Sequence, residues 1–163
     1  MDKIMFNDNF GLTDAVKKGQ KTMTRRKFGF FRTGQVVGVA QSYAELLQHK
    51  DELKPEALEQ IEEHVEKKSM GTNNKLFVMA ELMPCKIKMT CHGCEHLQDI
   101  SEEDCLKEGI VRISDNAYTF KGGMVFETAR EAFASLIDKI EGRGTWEKNG
   151  EVVVYEFELV NEE

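Results

Sequence analysis

Eight consecutive residues carry most of the chemistry open to this chain: Gly19-Gln20-Lys21-Thr22-Met23-Thr24-Arg25-Arg26. A lysine, two hydroxyls and two guanidinium groups stand beside one glycine. No aspartate or glutamate occurs between Asp14 and Glu45, whereas Lys17, Lys18, Lys21, Arg25, Arg26, Lys27 and Arg32 supply seven cations in a chain of net charge −7. A positive island of this kind suits phosphate or another anion, through arginine forks, a lysine point charge and closely approaching backbone N–H groups. A plainer account, cations closing a short helix, covers Lys17 and Lys18. It does not cover Arg25, Arg26 and Arg32, which lie beyond the end of such a helix.

The elements that must position this run follow from pattern. Residues 12–18 read as a short helix with Thr13 as N-cap, Lys17 and Lys18 in the last turn and Gly19 as terminator. Leu12, Ala15 and Val16 form its apolar face, so the basic turn is delivered to a fixed place. Residues 35–42, with Val36, Val37 and Val39, read as a buried strand. The segment 43–70 changes character and is expected to be a surface helical insertion. Pro55 opens its second helix, whose thin apolar stripe of Leu58, Ile61 and Val65 is crowded by glutamates. Residues 76–82 read as a strand ended by Pro84, and 86–97 as a further strand or pair of strands.

Ser101 to Asp104 has the form of a capping box and starts a helix that stops at Gly109. A hairpin is expected from 110–113 and 117–120 around Ser114-Asp115-Asn116. Thr128 to Glu131 forms a second box, followed by Phe133, Leu136, Ile137 and Ile140 at i, i+3, i+4 and i+7. The segment 152–159 is a closing strand. Strands separated by single helices point to an α+β fold, a small mixed or barrel-like sheet decorated by helices, in one domain over 1–163.

With 40% apolar and 31% charged residues, the composition is that of an ordinary globular protein. No apolar run approaches the ~18 residues of a membrane span. The N-terminus lacks a signal core and cleavage site, so a cytoplasmic location without membrane contact is expected. Nucleic-acid binding by so acidic a chain would have to be local and salt-sensitive. Cys91-His92-Gly93-Cys94, with His96 beyond and Cys85 and Cys105 flanking, is half a zinc signal, since no second pair follows. Strand-like spacing over 85–97 favours plain thiols, and neither metal nor cofactor is expected.

The run 19–26 resembles the Gly-x-Lys-Thr-x-Thr-x-Arg signature of the ASCH domain, a PUA-like β-barrel family associated with RNA. The likeness continues through Thr33-Gly34-Gln35-Val36-Val37 and through 97–110, where Leu97-Gln98-Asp99-Ile100-Ser101 leads to Glu108-Gly109-Ile110. It ends with the helix over 133–140, Gly144-Thr145-Trp146 and the closing strand, leaving out only 43–70. The larger ASCH proteins of bacterial and phage genomes look closest. The resemblance implies an incomplete β-barrel of about six strands with a helical insertion. One branch of that family, the small bacterial N(4)-acetylcytidine amidohydrolases, uses a Lys, a Thr and a Glu. By resemblance these fall on Lys21, Thr24 and Glu108, and Arg26 falls on a matching arginine. Arg25 departs, standing where those enzymes carry an apolar residue, and the present chain is much longer.

These residues make coherent chemistry. Crowding by Arg25 and Arg26 would depress the pKa of Lys21, which could then take the proton of Thr24 as it attacks an acyl carbon. Glu108 could orient or deprotonate the water that clears the acyl group. Backbone N–H groups at 19–22 or of Arg26 could stabilise the oxyanion. The blander alternatives are Lys21 and Arg26 holding a phosphate, Thr24 as a turn hydroxyl, and Glu108 closing a helix or pairing with an arginine. Two functions are therefore expected to compete. One is a module binding RNA or a modified nucleoside or nucleotide through a basic cleft of Gly19, Thr22, Arg25, Arg26 and Arg32, with Phe28, Phe30, Phe31 or Tyr43 to stack a base, though at least one of the three phenylalanines should be core. The alternative is an amidohydrolase acting on an acylated nucleobase. No obligate protein partner is indicated, and an adaptor role for the acidic helices ranks last.

Overall fold

Capping residues set most element boundaries in the computed structural model, which describes residues 1–161. In chain order these are β1 (Lys3–Ile4), α1 (Leu12–Lys17), β2 (Met23–Arg26), β3 (Val36–Val39), α2 (Tyr43–Leu47) and α3 (Pro55–Glu66). Then follow β4 (Lys86–His96), α4 (Glu102–Lys107), β5 (Val111–Ser114), β6 (Ala117–Thr119), α5 (Ala129–Glu141), α6 (Thr145–Lys148) and β7 (Glu151–Leu159). Ser42, Ser101 and Thr128 each accept a hydrogen bond from the backbone N–H three residues on, which fixes the starts of α2, α4 and α5. Pro55 occupies the first turn of α3, where its missing N–H is harmless. Thr13 is not the cap of α1. That place is taken by Gly11 at φ 68°, and the Thr13 hydroxyl donates instead to Asp8 at 2.6 Å.

Five strands pair in the order β1-β3-β4-β7-β2, and β5 and β6 form a second, two-stranded sheet. β1 runs parallel to β3, whereas β3–β4, β2–β7 and β5–β6 are antiparallel. With β1 and β2 left as edges, the sheet does not close into a barrel. The fold is α+β, with a mixed five-stranded sheet and a separate two-stranded one, and no closed barrel among the described residues.

The chain divides into two compact units, one comprising residues 1–6, 36–88 and the end from Leu159, the other residues 7–35 and 89–158. In the first unit, Ala40, Tyr43, Leu46, Ile61, Val78, Leu82 and Met83 form a buried cluster, with Leu47, Leu53, Ala57 and Val65 packed on it. The helices of 43–70 thus supply core, and their glutamates face outward. Tyr43 is only 1% exposed. Its phenol oxygen accepts from the Met79 N–H at 2.9 Å and its ring stacks on His64, so the structure removes it from the candidate base platforms.

The expected strand over 76–82 is replaced by two 3-10 turns, Lys75–Phe77 and Ala80–Leu82. The physical reason lies in its partners. The Lys3 ammonium donates to the carbonyls of Leu76 and Val78, which a sheet neighbour would otherwise use. The Ala80 carbonyl then comes so near β3 that a Cβ on Gly38 would lie 2.6 Å from it.

In the second unit, α5 buries Ala129, Ala132, Phe133, Leu136 and Ile137, the stripe that the periodicity predicts. Trp146 packs edge-on against Phe133, and the Arg130 guanidinium lies over its indole. The Glu102 carboxylate accepts from the backbone N–H groups of Ala129 and Arg130, joining the start of α4 to the start of α5. This join fixes α4, whose far end carries Glu108.

Gly38→Ala tests the close approach in the first unit. Overpacking against a backbone carbonyl is expected to cost about 1–3 kcal/mol, read as a lower urea midpoint at unchanged slope. A midpoint equal to wild type would show that the turn at Ala80 gives way freely.

Candidate active site

Strand β2 is brought to its place by the turn that precedes it. The backbone N–H groups of Gly19, Gln20 and Lys21 return to the carbonyls of Val16, Ala15 and Ala15, with Gly19 at φ 73°. The Thr22 N–H donates to the Lys107 carbonyl and the Thr22 carbonyl accepts from the Phe157 N–H of β7. These bonds correct the expected oxyanion donors, because every N–H from 19 to 22 is already engaged. Ladder alternation then turns the backbone groups of Thr24 toward β7 and the Met23 carbonyl toward the free edge of the sheet.

Lys21 fills that edge. Its ammonium donates to the Met23 carbonyl at 2.8 Å and to the Glu108 carbonyl at 2.7 Å, and lies 3.7 Å from Glu108 Oε1. Lys21 and Glu108 are each only 3% exposed. Burial pulls the Lys21 pKa from 10.5 down to about 8 against the opposing charge of Glu108, and the guanidinium groups of Arg26 and Arg25 add to the lowering. Gly109 makes room for the lysine stem. It closes α4 at φ 118°, and a Cβ there would meet Leu12 Cδ2 at 3.0 Å and Lys21 Cδ at 3.8 Å.

The two arginines diverge because β2 alternates. Arg25 shares a face with Met23 and donates to its sulfur, whereas Arg26 shares the other face with Thr24 and donates through Nε to Oγ1 at 3.1 Å. The Arg25 side chain, 1% exposed, reaches Glu108 Oε2 at 3.3 Å, Glu95 Oε1 at 2.6 Å and Asp104 Oδ2 at 3.6 Å. Its fork is committed to carboxylates, not open to a phosphate. The Arg26 pKa is lowered by burial, opposed by the charges of Glu108, Glu141 and Tyr155, and Arg26 in turn lowers Lys21. Arg26 therefore holds the Thr24 hydroxyl while its charge bears on Lys21.

The remaining candidates are more dispersed. Gly19 and Arg32 are exposed, Thr22 is half-buried, and the Arg32 backbone N–H is held by the Gln35 side chain. Phe31 packs edge-on against Tyr155, while Phe28 and Phe30 are 66% and 73% exposed with ring centroids 6.0 Å apart. Cys91 and Cys94 lie on extended β4, where three residues span about 10 Å, beyond disulfide reach. Among the described residues, no three metal-ligating side chains converge. The buried Cys105 thiol is pushed up to about 12, chiefly by desolvation, which makes it a poor nucleophile. Glu95 and Asp104 escaped the sequence reading as site residues. Their one sequence signal is indirect, since a buried arginine needs carboxylates. No family model, curated protein or solved structure matches the chain.

Two measurements probe this cluster. Arg25→Ala leaves Glu108 buried beside Lys21 alone. The loss should approach the lower end of the range for breaking a buried pair, about 3 kcal/mol, because Glu95 and Asp104 can turn to water. Arg25→Lys should restore only part, as one ammonium cannot serve three carboxylates. The second measurement concerns Lys21, whose folded pKa lies below its unfolded value. Between about 8 and 10.5 the unfolded chain binds more protons, so stability should rise with pH there. The stability difference between wild type and Lys21→Met, followed by urea unfolding, should move in the wild type's favour across that window. A flat difference would mean that Lys21 stays protonated when buried.

Proposed function

We propose that the edge of β2 is a hydrolytic site for the amide of an uncharged acylated nucleobase such as N(4)-acetylcytidine. The observation that carries this reading is the buried Lys21 with its pKa lowered to about 8, held against Glu108 and coupled through Arg26 to the Thr24 hydroxyl. A lysine this deep in a protein is expensive to keep, and a depressed pKa is what a base near neutral pH requires. The charge balance supports an uncharged ligand. Lys21 and Arg25 already face Glu108, Glu95 and Asp104, and Arg26 faces Glu108 and Glu141, so these cations are matched by carboxylates of the chain itself.

In this reading Thr24 Oγ1 attacks the acyl carbon and its proton passes to neutral Lys21. The Arg26 guanidinium, already on Oγ1, faces the charge that develops on the acyl oxygen, the role that the engaged backbone N–H groups cannot fill. Lys21 returns the proton to the departing nitrogen as the C–N bond breaks. Water then attacks the threonine ester with Glu108 accepting its proton, releasing the carboxylic acid and restoring the hydroxyl.

A second reading, binding of RNA or a nucleotide without cleavage, is favoured by the exposed Phe28 and Phe30 beside Lys27 and Arg32, aromatic faces interleaved with cations.

Acetate release from N(4)-acetylcytidine separates the two. Lys21→Ala, Thr24→Ala and Glu108→Ala should each abolish it, Thr24→Ser should retain a fraction, and Lys21→Arg should fail because guanidinium keeps its proton. The rate should climb with pH as Lys21 deprotonates around 8. A wild-type protein that binds the nucleoside yet releases no acetate at any pH would leave binding alone. If Phe28→Ala and Arg32→Ala left RNA affinity unchanged at low salt, the binding reading would fall as well.

A further inference from the structure

A cavity of about 400 Å³ lies beside β2, between the end of α5, α6 and the start of β7. Leu97 and Ile137, both buried, and half-buried Val152 give it an apolar floor, and the exposed ring of Phe28 stands at its rim. Its head groups are different in kind. Lys27, Arg143 and Lys148 line it, and among the described residues none of their charged groups pairs with a carboxylate or donates to another side chain. In a chain with 29 acidic residues against 22 basic ones, three cations left unpaired around one concavity call for an explanation.

Part of that charge answers the fold. Arg143 follows the C-terminus of α5, whose last carbonyls favour a cation. Lys148 stands likewise in the last turn of the four-residue α6, so Lys27, just past the end of β2, is the one cation of the three with no such duty. Two carboxylates also line the cavity, Glu141 and Glu151, and the Glu141 charge is felt by Arg26. Arg25 touches the cavity but has its guanidinium committed to Glu95 and Glu108. Three cations against two carboxylates, one of them already facing Arg26, leave room for one anionic group. An apolar floor with a small number of polar head groups is the usual make-up of a small-ligand site, and the size suits a planar body of one or two rings.

We infer that this cavity binds a small ligand with one anionic group, a carboxylate or a phosphate, on a planar apolar body. The plane lies between Phe28 and the Leu97–Ile137–Val152 floor, and the anion is held by Lys27 and Lys148 with Arg143 beside them. The inference does not rest on hydrolysis at the β2 edge, so loss of acetate release would leave it untouched. It shares Phe28 and Lys27 with the binding reading, whereas Phe30 and Arg32, which that reading also uses, do not line this cavity.

Two matched pairs test it on the full chain by NMR titration: 2-naphthoate against 2-naphthamide, and uridine 5′-monophosphate against uridine. At low salt at least one anion should bind about tenfold more tightly than its neutral partner, the scale of a charge-assisted contact. A preference confined to naphthoate identifies a carboxylate ligand, and one confined to the nucleotide identifies a phosphate. The double variant Lys27→Gln, Lys148→Gln, both exposed positions, should erase the preference and leave the neutral partner's affinity unchanged. Phe28→Ala should weaken both members of a pair. Equal affinities within each pair, no binding by either anion, or a preference that survives the double variant would overturn the inference.

Discussion

The ion-paired side chain of Arg25 is the constraint on which the second unit turns. One guanidinium, almost wholly out of water, reaches carboxylates on β4, within α4 and just past its end. An unpaired cation there would cost several kcal/mol, so the strand and the helix are tied together by the need to satisfy it. The tie also divides the two oxygens of Glu108 between Arg25 and Lys21. The position of the glutamate relative to the lysine is thus set by a residue that need never touch a ligand.

Electrostatics and backbone geometry reinforce each other at this edge. Desolvation alone would push Lys21 toward its neutral form, and Glu108 alone would hold it charged. Their contest leaves the lysine close to neutrality of charge in mild alkali, where a small change of surroundings alters its protonation most. The bonds that cost the most to leave unmade, the buried carbonyls of Met23 and Glu108, are made by the same ammonium. Lys21 thus satisfies the backbone of two elements, β2 and the end of α4, with one side chain.

Much of this was legible in the chain. The caps at Ser101 and Thr128 and the i, i+3, i+4 stripe of α5 are local signals, and local physics decided them. Lys21 and Glu108, 87 residues apart, were singled out by a motif and meet at 3.7 Å. What failed was whatever depended on distant partners. Residues 76–82 form a short apolar run that reads as a strand, yet the Lys3 ammonium takes two of their carbonyls, and no window of sequence contains that fact. Arg25 read as an anion ligand because Glu95 and Asp104 lie about 70 and 80 residues away along the chain and only the fold brings them back. The glycine-side N–H groups read as oxyanion donors because their commitment to Ala15, Val16 and Lys107 is a property of the turn, not of composition.

The lysine at the edge of β2 has a consequence for solubility. An edge strand presents unpaired carbonyls and N–H groups that a strand from another molecule can extend. The Met23 carbonyl, which points outward from β2, is already bonded to the Lys21 ammonium, and the positive charge behind it repels a second copy of the same run. A neutral, shorter side chain at 21 would leave the Met23 carbonyl open to such pairing. The side chain that satisfies this edge therefore also guards it against becoming a template for aggregation.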